Sequence, residues 1–294
     1  MTRILVVGRT GQLGCELGNM VWPGSVQLLQ AGRSECDVTV PEMVRKAVLG
    51  ANPDVVINAA AYTAVDRAEQ EQDAAMRTNA DGPAALARSC AETGAALIHL
   101  STDYVFDGTK TTAYREDDIA NPKSAYGRSK FAGELAIREL LLRHVIIRSS
   151  WVFSSHGSNF VKTMLRLGSR QPAVRVVIDQ MGAPTSARDI AGAIGVIANA
   201  IAKGRGVWGT FHFSSAEPST WFGFAEAVFA GSAHLHHVNV IPITSADFGA
   251  LAVRPANSVL DCSRIRDAYG IDRPSWRVAL CETLAELESS EPPP

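Results

Sequence analysis

Ile4-Leu5-Val6-Val7-Gly8-Arg9-Thr10-Gly11-Gln12-Leu13-Gly14 decides how the rest of the chain is read. Four apolar residues run without a polar break and end on glycine, the pattern of a strand buried on both faces. Helical periodicity starts at about Gln12, so a glycine-rich turn joins strand to helix. Gly8, Gly11 and Gly14 stand where such a turn bends sharply, approaches a pyrophosphate or packs a helix on its strand. The free N–H groups at the helix start carry a partial positive charge suited to phosphate.

The same alternation continues outward from that turn. Val26–Leu29 reads as strand, Pro41–Leu49 as helix, Val55–Ile57 as strand and Ala74–Glu92 as one long helix. Ala95–Leu100, Ser124–Leu142 and Val145–Ile147 follow as strand, helix and strand. Strict alternation predicts an α/β fold of the Rossmann type, a doubly wound parallel sheet with helices on both faces. After Ser150 the rhythm loosens: Asn159–Leu167 and Ala187–Ala202 look helical, Phe211–Phe213 looks like a strand, and a glycine- and proline-dotted third follows. The expected division is a dinucleotide-binding domain of residues 1–155 plus about 175–205. A smaller interleaved substrate domain is expected over about 156–174 and 206–294. The acidic, proline-rich tail Glu288–Pro294 is expected to fray.

Of the 294 residues, 46% are hydrophobic and 20% charged, the balance of a soluble globular chain. A formal net charge of −2 offers no global field for nucleic acid or anionic lipid, so anions must be met locally. Five scattered cysteines without a C-x-x-C pair read as reduced cytoplasmic thiols rather than a disulfide or zinc framework. Ile4 follows the initiator so closely that no signal peptide is expected, and Ile190–Ala202 is too short and glycine-rich to span a bilayer.

Past the second strand, an NAD-specific site would carry an acid for the ribose hydroxyls. The stretch Leu28–Arg33 has none and supplies Arg33, whose guanidinium can pair with a 2′-phosphate. This favours NADPH, with NADH as a second candidate; the plain alternative is an Arg33 that points into solvent.

Tyr126 and Lys130 stand four residues apart, on one face of the helix expected from Ser124. A free phenol has a pKa of about 10, and a nearby ammonium is expected to lower it toward the working range. Thr102 ends the strand some two dozen residues upstream, at the edge where such sheets collect their active sites. Its hydroxyl completes a trio with the phenol and the ammonium.

The glycine spacing G-x-x-G-x-x-G is similar to that of short-chain dehydrogenases, and longer motifs narrow the resemblance. Asn58-Ala59-Ala60-Ala61-Tyr62-Thr63-Ala64-Val65-Asp66, Ser101-Thr102-Asp103-Tyr104-Val105-Phe106, Ser124–Lys130, Arg148–Phe153, Asp179–Thr185 and Arg254–Ser258 occur in order along nearly the whole chain. Together they resemble the dTDP-4-dehydrorhamnose reductases, extended short-chain dehydrogenases that reduce a nucleotide-linked 4-keto sugar. The resemblance implies that Tyr126 donates a proton to the C4 oxygen, Lys130 partners it and touches the ribose, and Thr102 orients. It also implies that Gly11, Gln12, Leu13, Asp37, Val38, Ala61, Tyr62, Thr63 and Leu100 meet the dinucleotide. Asp103 and Trp151, with Thr102, fall where the family meets its nucleotide-sugar substrate.

Rival readings come from the same fold. Nucleotide-sugar 4,6-dehydratases resemble Thr-Asp-Glu after the catalytic strand, whereas this chain has Thr102-Asp103-Tyr104 and lacks the second carboxylate. Another 4-ketoreductase of nucleotide sugars, or a non-catalytic regulator resembling the β subunit of eukaryotic methionine adenosyltransferase, are the alternatives. His234, His236 and His237 lack the spacing of a metal site, and no metal is expected there. Glu16 matches a magnesium ligand at the subunit interface of some family members, but Arg188 stands where another glutamate is expected. A magnesium bridge is therefore not expected, and monomer and homodimer both stay open.

Overall fold

The computed structural model describes residues 1–290. Its first half runs β1 (Thr2–Val7), α1 (Gln12–Asn19), β2 (Val26–Ala31), α2 (Pro41–Ala51), β3 (Val55–Asn58), α3 (Val65–Ala68) and α4 (Gln72–Met76). A π-helical turn (Arg77–Asp81) leads into α5 (Gly82–Thr93), β4 (Ala96–Thr102), α6 (Ala125–Leu140) and β5 (His144–Ser149). The second half opens with β6 (Val152–Phe153), α7 (Phe160–Gly168), β7 (Ala173–Val177), β8 (Met181–Gly182), β9 (Thr185–Ser186) and α8 (Ala187–Ala202). It ends with β10 (Gly209–His212), β11 (Ser219–Thr220), α9 (Trp221–Gly231), β12 (Asn239–Ile243), α10 (Ser245–Phe248), α11 (Ser263–Tyr269) and α12 (Trp276–Ser290).

Six strands form one sheet in the order β2-β1-β3-β4-β5-β10, every neighbouring pair parallel. The period-2 geometry of a strand explains the apolar runs. Ile4 and Val6 face one core with Val55, Ile57, Val145 and Ile147, closed by α1, α8 and α11. Leu5 and Val7 face the other with Val56, Leu97 and Ile146, closed by α2, α5 and α6. Both faces are covered, so the strand centres are mostly apolar, and the polar residues that enter them, such as His99 of β4 and Arg148 of β5, are buried with hydrogen-bond partners. The chain reverses its direction of winding between β1 and β3, and a doubly wound sheet opens its ligand crevice at such a reversal.

A third core lies apart from these two and joins Phe153, Val161, Phe224, Val228, Trp276 and Leu280 from β6, α7, α9 and α12. Small ladders, β7 with β12, β8 with β11 and β6 with β9, frame it.

Three expectations are corrected here. The strand Gly209–His212 lies beyond the expected boundary near 206, yet it is the edge of the main sheet, because its Phe211 fills the core beside β5. The helix expected over Ala74–Glu92 carries a π turn, at which Asn79 is turned toward both Tyr62 and Ser129. The tail expected to fray from Glu288 is helical as far as the described residues go, and residues 291–294 lie outside them. No helix among the described residues is long and apolar enough to cross a membrane. All five cysteines are free.

Candidate active site

The crevice at the winding reversal begins at Gly8, whose φ of +94° suits glycine. A Cβ there would lie 2.6 Å from the Ala60 nitrogen, so a side chain would push the glycine loop off the end of β3. Gly14 is equally confined, its place for a Cβ only 2.1 Å from the Gly8 carbonyl oxygen. Gly11 caps α1 without a side-chain acceptor, so the first N–H groups of the helix remain open to a phosphate.

A cleft of about 300 Å³ runs from this loop to the end of β2, lined by Gly8, Gly11, Arg33, Asp37, Val38, Ala61 and Tyr62 among others. Seven of the residues expected to meet the dinucleotide thus share one wall. The others are placed differently. Leu13 is buried in the sheet core and offers the crevice only its backbone. The Gln12 side chain turns away to accept hydrogen bonds from Ser154 (3.0 Å) and Asn159 (2.9 Å), tying the glycine loop to the segment after β6. Thr63 is exposed, while Leu100 lies at the end of β4, where its carbonyl accepts a hydrogen bond from Lys130.

Carboxylates that the stretch Leu28–Arg33 lacks arrive a few residues later. Asp37 accepts from the Thr39 amide (2.9 Å) and hydroxyl (2.7 Å) and from Arg33 (3.0 Å). These bonds hold its carboxyl below the usual range despite partial burial. Glu35 accepts from the Gly32 amide (2.8 Å) and pairs with Arg9 (3.3 Å). Arg33, which lines the cleft, and Arg9 each stand beside a carboxylate, and the Arg33 side chain is 82% exposed.

The second half of the crevice is built by β4, α6 and the chain after β5. Ser124 caps α6 by accepting from the Gly127 amide (3.0 Å), which places Tyr126 in the first turn and Lys130 one turn further on. Tyr126 stands edge-on to Tyr104, ring centroids 5.6 Å apart. Thr102 closes β4, accepts from the Tyr104 amide (3.2 Å) and donates to Asp103 (3.0 Å). The trio meets at one sheet edge, but its charges differ from the sequence expectation. Burial pushes the Tyr126 phenol up to about 12, opposed by a hydrogen bond with Thr102 and reinforced by Asp103. Burial also takes Lys130 down to about 8, against the pull of Glu134. Lys130 Nζ donates to the Leu100 carbonyl at 2.7 Å and lies 3.3 Å from His99 Nε2. A lysine drawn into the sheet in this way lowers the phenol's pKa far less than the helical spacing suggested. Asp103 is buried as well, which raises it to about 6 against hydrogen bonds with Ser258 and Thr102.

Trp151, just beyond β5, adopts a φ of +48° and stacks on Trp221 with centroids 3.6 Å apart and planes 8° from parallel. The motif Asp179–Thr185 is built around this pair. Gln180 accepts from the Trp221 indole (3.1 Å), and a Cβ on Gly182 would lie 2.4 Å from the Trp151 ring. Trp221 escaped the sequence reading because it lies seventy residues from its partner. Arg254 was part of a quoted motif but had no role assigned: it clamps Asp66 through two hydrogen bonds (3.2 and 2.7 Å) and a third links it to Tyr104. Beside Glu16, Arg188 fills the position where a second glutamate was expected, within 3.6 Å of Glu16 and paired with Glu282 and Glu286.

Comparison with known proteins gives a consistent answer. A family model described as the RmlD substrate binding domain matches residues 1–289. The dTDP-4-dehydrorhamnose reductase of Aggregatibacter actinomycetemcomitans is 42% identical over 294 residues, covering 98% of this chain and 100% of that one. That of Burkholderia thailandensis is 42% identical over 297 residues, with 98% and 99% covered. A crystal structure of dTDP-4-dehydrorhamnose reductase from Bacillus anthracis in complex with NADP superposes with a TM-score of 0.91 at 36% identity, over 97% of this chain and 100% of that one.

Proposed function

Because the chain belongs to the dTDP-4-dehydrorhamnose reductase family, we propose that it reduces the C4 ketone of dTDP-4-dehydro-6-deoxy-L-mannose to give dTDP-L-rhamnose, with NADPH as reductant. The observation that carries this reading is the gathering of Thr102, Tyr126 and Lys130 at the ends of β4 and α6, beside a glycine turn with no room for side chains at Gly8 and Gly14. When bound, the dihydronicotinamide supplies the hydride.

The protein's own residues then have three tasks. Gly8, Gly11 and the start of α1 would hold the pyrophosphate, and Arg33 would pair with the ribose phosphate. Thr102 orients the sugar oxygen with its hydroxyl. Tyr126 gives its proton to that oxygen as negative charge builds there, since an unprotonated alkoxide in a closed site is costly. A phenol held near 12 is the form needed for reduction: it keeps its proton until a stronger base appears. Elimination of water lacks a partner, because the position after Asp103 holds Tyr104, whose phenol burial and Asp103 push above the usual range.

Asp103 and the stacked Trp151 are the residues that would meet the sugar nucleotide. Residues 1–155, about 175–205 and the strand Gly209–His212 would carry the cofactor, and most of the third core the substrate. With no membrane-crossing helix among the described residues and every cysteine free, the cytoplasm is the compartment we assign. The test is direct: purified protein, the 4-keto sugar nucleotide, and NADPH or NADH, with cofactor oxidation and product followed together. Sugar-dependent oxidation of NADPH is expected. Tight dinucleotide binding without turnover would instead mark a regulator.

A further inference from the structure

Gln12 is the first residue of α1, and its backbone and side chain serve different neighbours. The backbone belongs to the glycine turn, whose open N–H groups suit a phosphate. The side-chain oxygen reaches out of that turn and accepts from Ser154 Oγ (3.0 Å) and Asn159 Nδ2 (2.9 Å), 142 and 147 residues later in the chain. Donor and acceptor capacities fix this arrangement. Asn159 caps α7 by accepting from the Lys162 amide (3.1 Å), so its oxygen is committed and its NH₂ is what Gln12 meets. The same NH₂ donates to the Ser154 carbonyl (2.7 Å), which closes the turn between β6 and α7 on itself. Gly157 completes the fit: its φ is +62°, and a Cβ there would lie 3.3 Å from Gln12 Cγ.

That turn leads directly to the stacked tryptophans. Asn159 is followed by Phe160, the first residue of α7, whose ring centroid lies 4.6 Å from that of Trp221. Trp221 in turn stacks on Trp151. At the other end of the turn, Ser154 follows Phe153, which is buried in the third core two residues past Trp151. Hydrogen bonds and ring contacts thus run unbroken from the glycine turn to the tryptophan pair, the kind of contiguous network through which two sites can be coupled.

We propose that the Gln12 carboxamide couples the two halves of the crevice, so that a dinucleotide at the glycine turn and a sugar nucleotide at Trp151 strengthen each other's binding. Gln12 is in this respect a positioning residue, acting on the substrate side through Asn159. The inference deepens the reductase reading, on which the placing of the sugar nucleotide at Trp151 rests. The N–H groups of α1, once closed on a phosphate, fix the backbone from which the carboxamide extends. The carboxamide then holds Asn159 and the start of α7, and with them the Phe160 ring under Trp221. Linkage makes the effect mutual: a ligand that steadies the tryptophan pair steadies the glycine turn by the same factor.

Calorimetry reads the coupling with NADPH and dTDP-L-rhamnose, a pair that cannot react because both are already reduced. In the wild type, dTDP-L-rhamnose should bind about fivefold or more tightly when NADPH is saturating. Asn159→Ser keeps an oxygen to cap α7 but deletes the amide that meets Gln12. The factor should fall toward one in that variant, while NADPH alone binds as in the wild type. Gln12→Met cuts the same bonds from the side of the glycine turn and should lose the factor too. The double variant should lose no more than either single one, since one link is broken only once. A wild-type factor of one, or an undiminished factor in folded Asn159→Ser, overturns the proposal; should that variant fail to fold, Gln12→Met decides. Failure of the reductase reading looks different, because dTDP-L-rhamnose then binds with or without NADPH not at all. Hydrogen exchange decides the coupling in that case. NADPH alone should slow exchange of the amides of residues 154–164 in the wild type and not in Asn159→Ser, and no slowing in the wild type overturns the proposal.

Discussion

Tyr126 is the residue whose loss should be most visible. Phenylalanine keeps the ring edge against Tyr104 and deletes the phenolic proton that the proposed reduction delivers to the sugar oxygen. Turnover of Tyr126→Phe should fall by about 10²–10⁴-fold, the usual contribution of a general acid, while the NADPH dissociation constant changes little. Near-normal turnover would mean that another acid operates. Arg33 makes a second residue-scale case. Its exposed pair with Asp37 is worth about 0–1 kcal/mol, so the guanidinium can leave it for a 2′-phosphate at little cost. A charge-assisted contact gives about 1.5–3 kcal/mol in return, roughly tenfold or more in affinity for NADPH over NADH. Arg33→Asp should narrow or reverse that ratio in a binding titration; an unchanged ratio would make Arg33 a bystander. The identity of these residues was legible because helical spacing and the strand end lie in local sequence. Their protonation was not: spacing suggested a phenol lowered by its lysine, and only the depth to which both sink shows the opposite.

Elements carry the stacked tryptophan pair that the motif Asp179–Thr185 supports. Gly182 lies in β8 directly under the Trp151 ring, and Trp151 spends strain energy in a left-handed conformation to lie there. Gly182→Ala must push the ring aside, which separates it from Trp221 and loosens the third core. A stability loss of about 1–3 kcal/mol by thermal or denaturant unfolding is expected, as for other overpacked sites. The KM for the sugar nucleotide should rise while NADPH affinity holds, because the glycine cradle is untouched. A change in both affinities alike would show that the tryptophan pair does not face the substrate. The strands and helices of the first half were readable because buried parallel strands are continuous apolar runs. α12 was missed although Trp276, Leu280, Leu284 and Leu287 recur at helical spacing; glycines and prolines upstream obscured the pattern. The π turn at Arg77–Asp81 had no local signal, since its purpose is to aim Asn79 at the Tyr62 backbone, seventeen residues earlier in the chain.

At the scale of the molecule, what holds the catalytic helix on the sheet is an ion pair inside it. Glu134 of α6 is fully buried and accepts two bonds from Arg148 of β5 (2.9 and 2.7 Å), one from Ser101 of β4 (2.6 Å) and one from Arg138 (2.8 Å). Arg148 is 2% exposed and also lies against the Phe106 ring. Neither charge has water to return to: removing Glu134 strands Arg148, and removing Arg148 leaves Glu134 one buried oxygen short of a cation, with only Arg138 and Ser101 to hold it. Arg148→Met should therefore cost about 3–5 kcal/mol of stability, as should Glu134→Leu. Removing both deletes the desolvation penalty together with the attraction, and a well-packed apolar pair can be as stable as the ion pair it replaces. The double variant Glu134→Leu/Arg148→Met should thus unfold at a denaturant concentration closer to wild type than either single one, with a coupling energy of several kcal/mol in the cycle. Function supplies the second half of the test. Lys130 lies one turn before Glu134 on the same helix face, so the pair also fixes where Tyr126 and Lys130 stand relative to Thr102. If the ion pair serves orientation, the double variant regains stability but not turnover, since a small misplacement of a catalytic group can cost about 10²-fold. Recovery of both together would mean that the pair is structural alone, and that the catalytic helix keeps its register through apolar packing against β4 and β5.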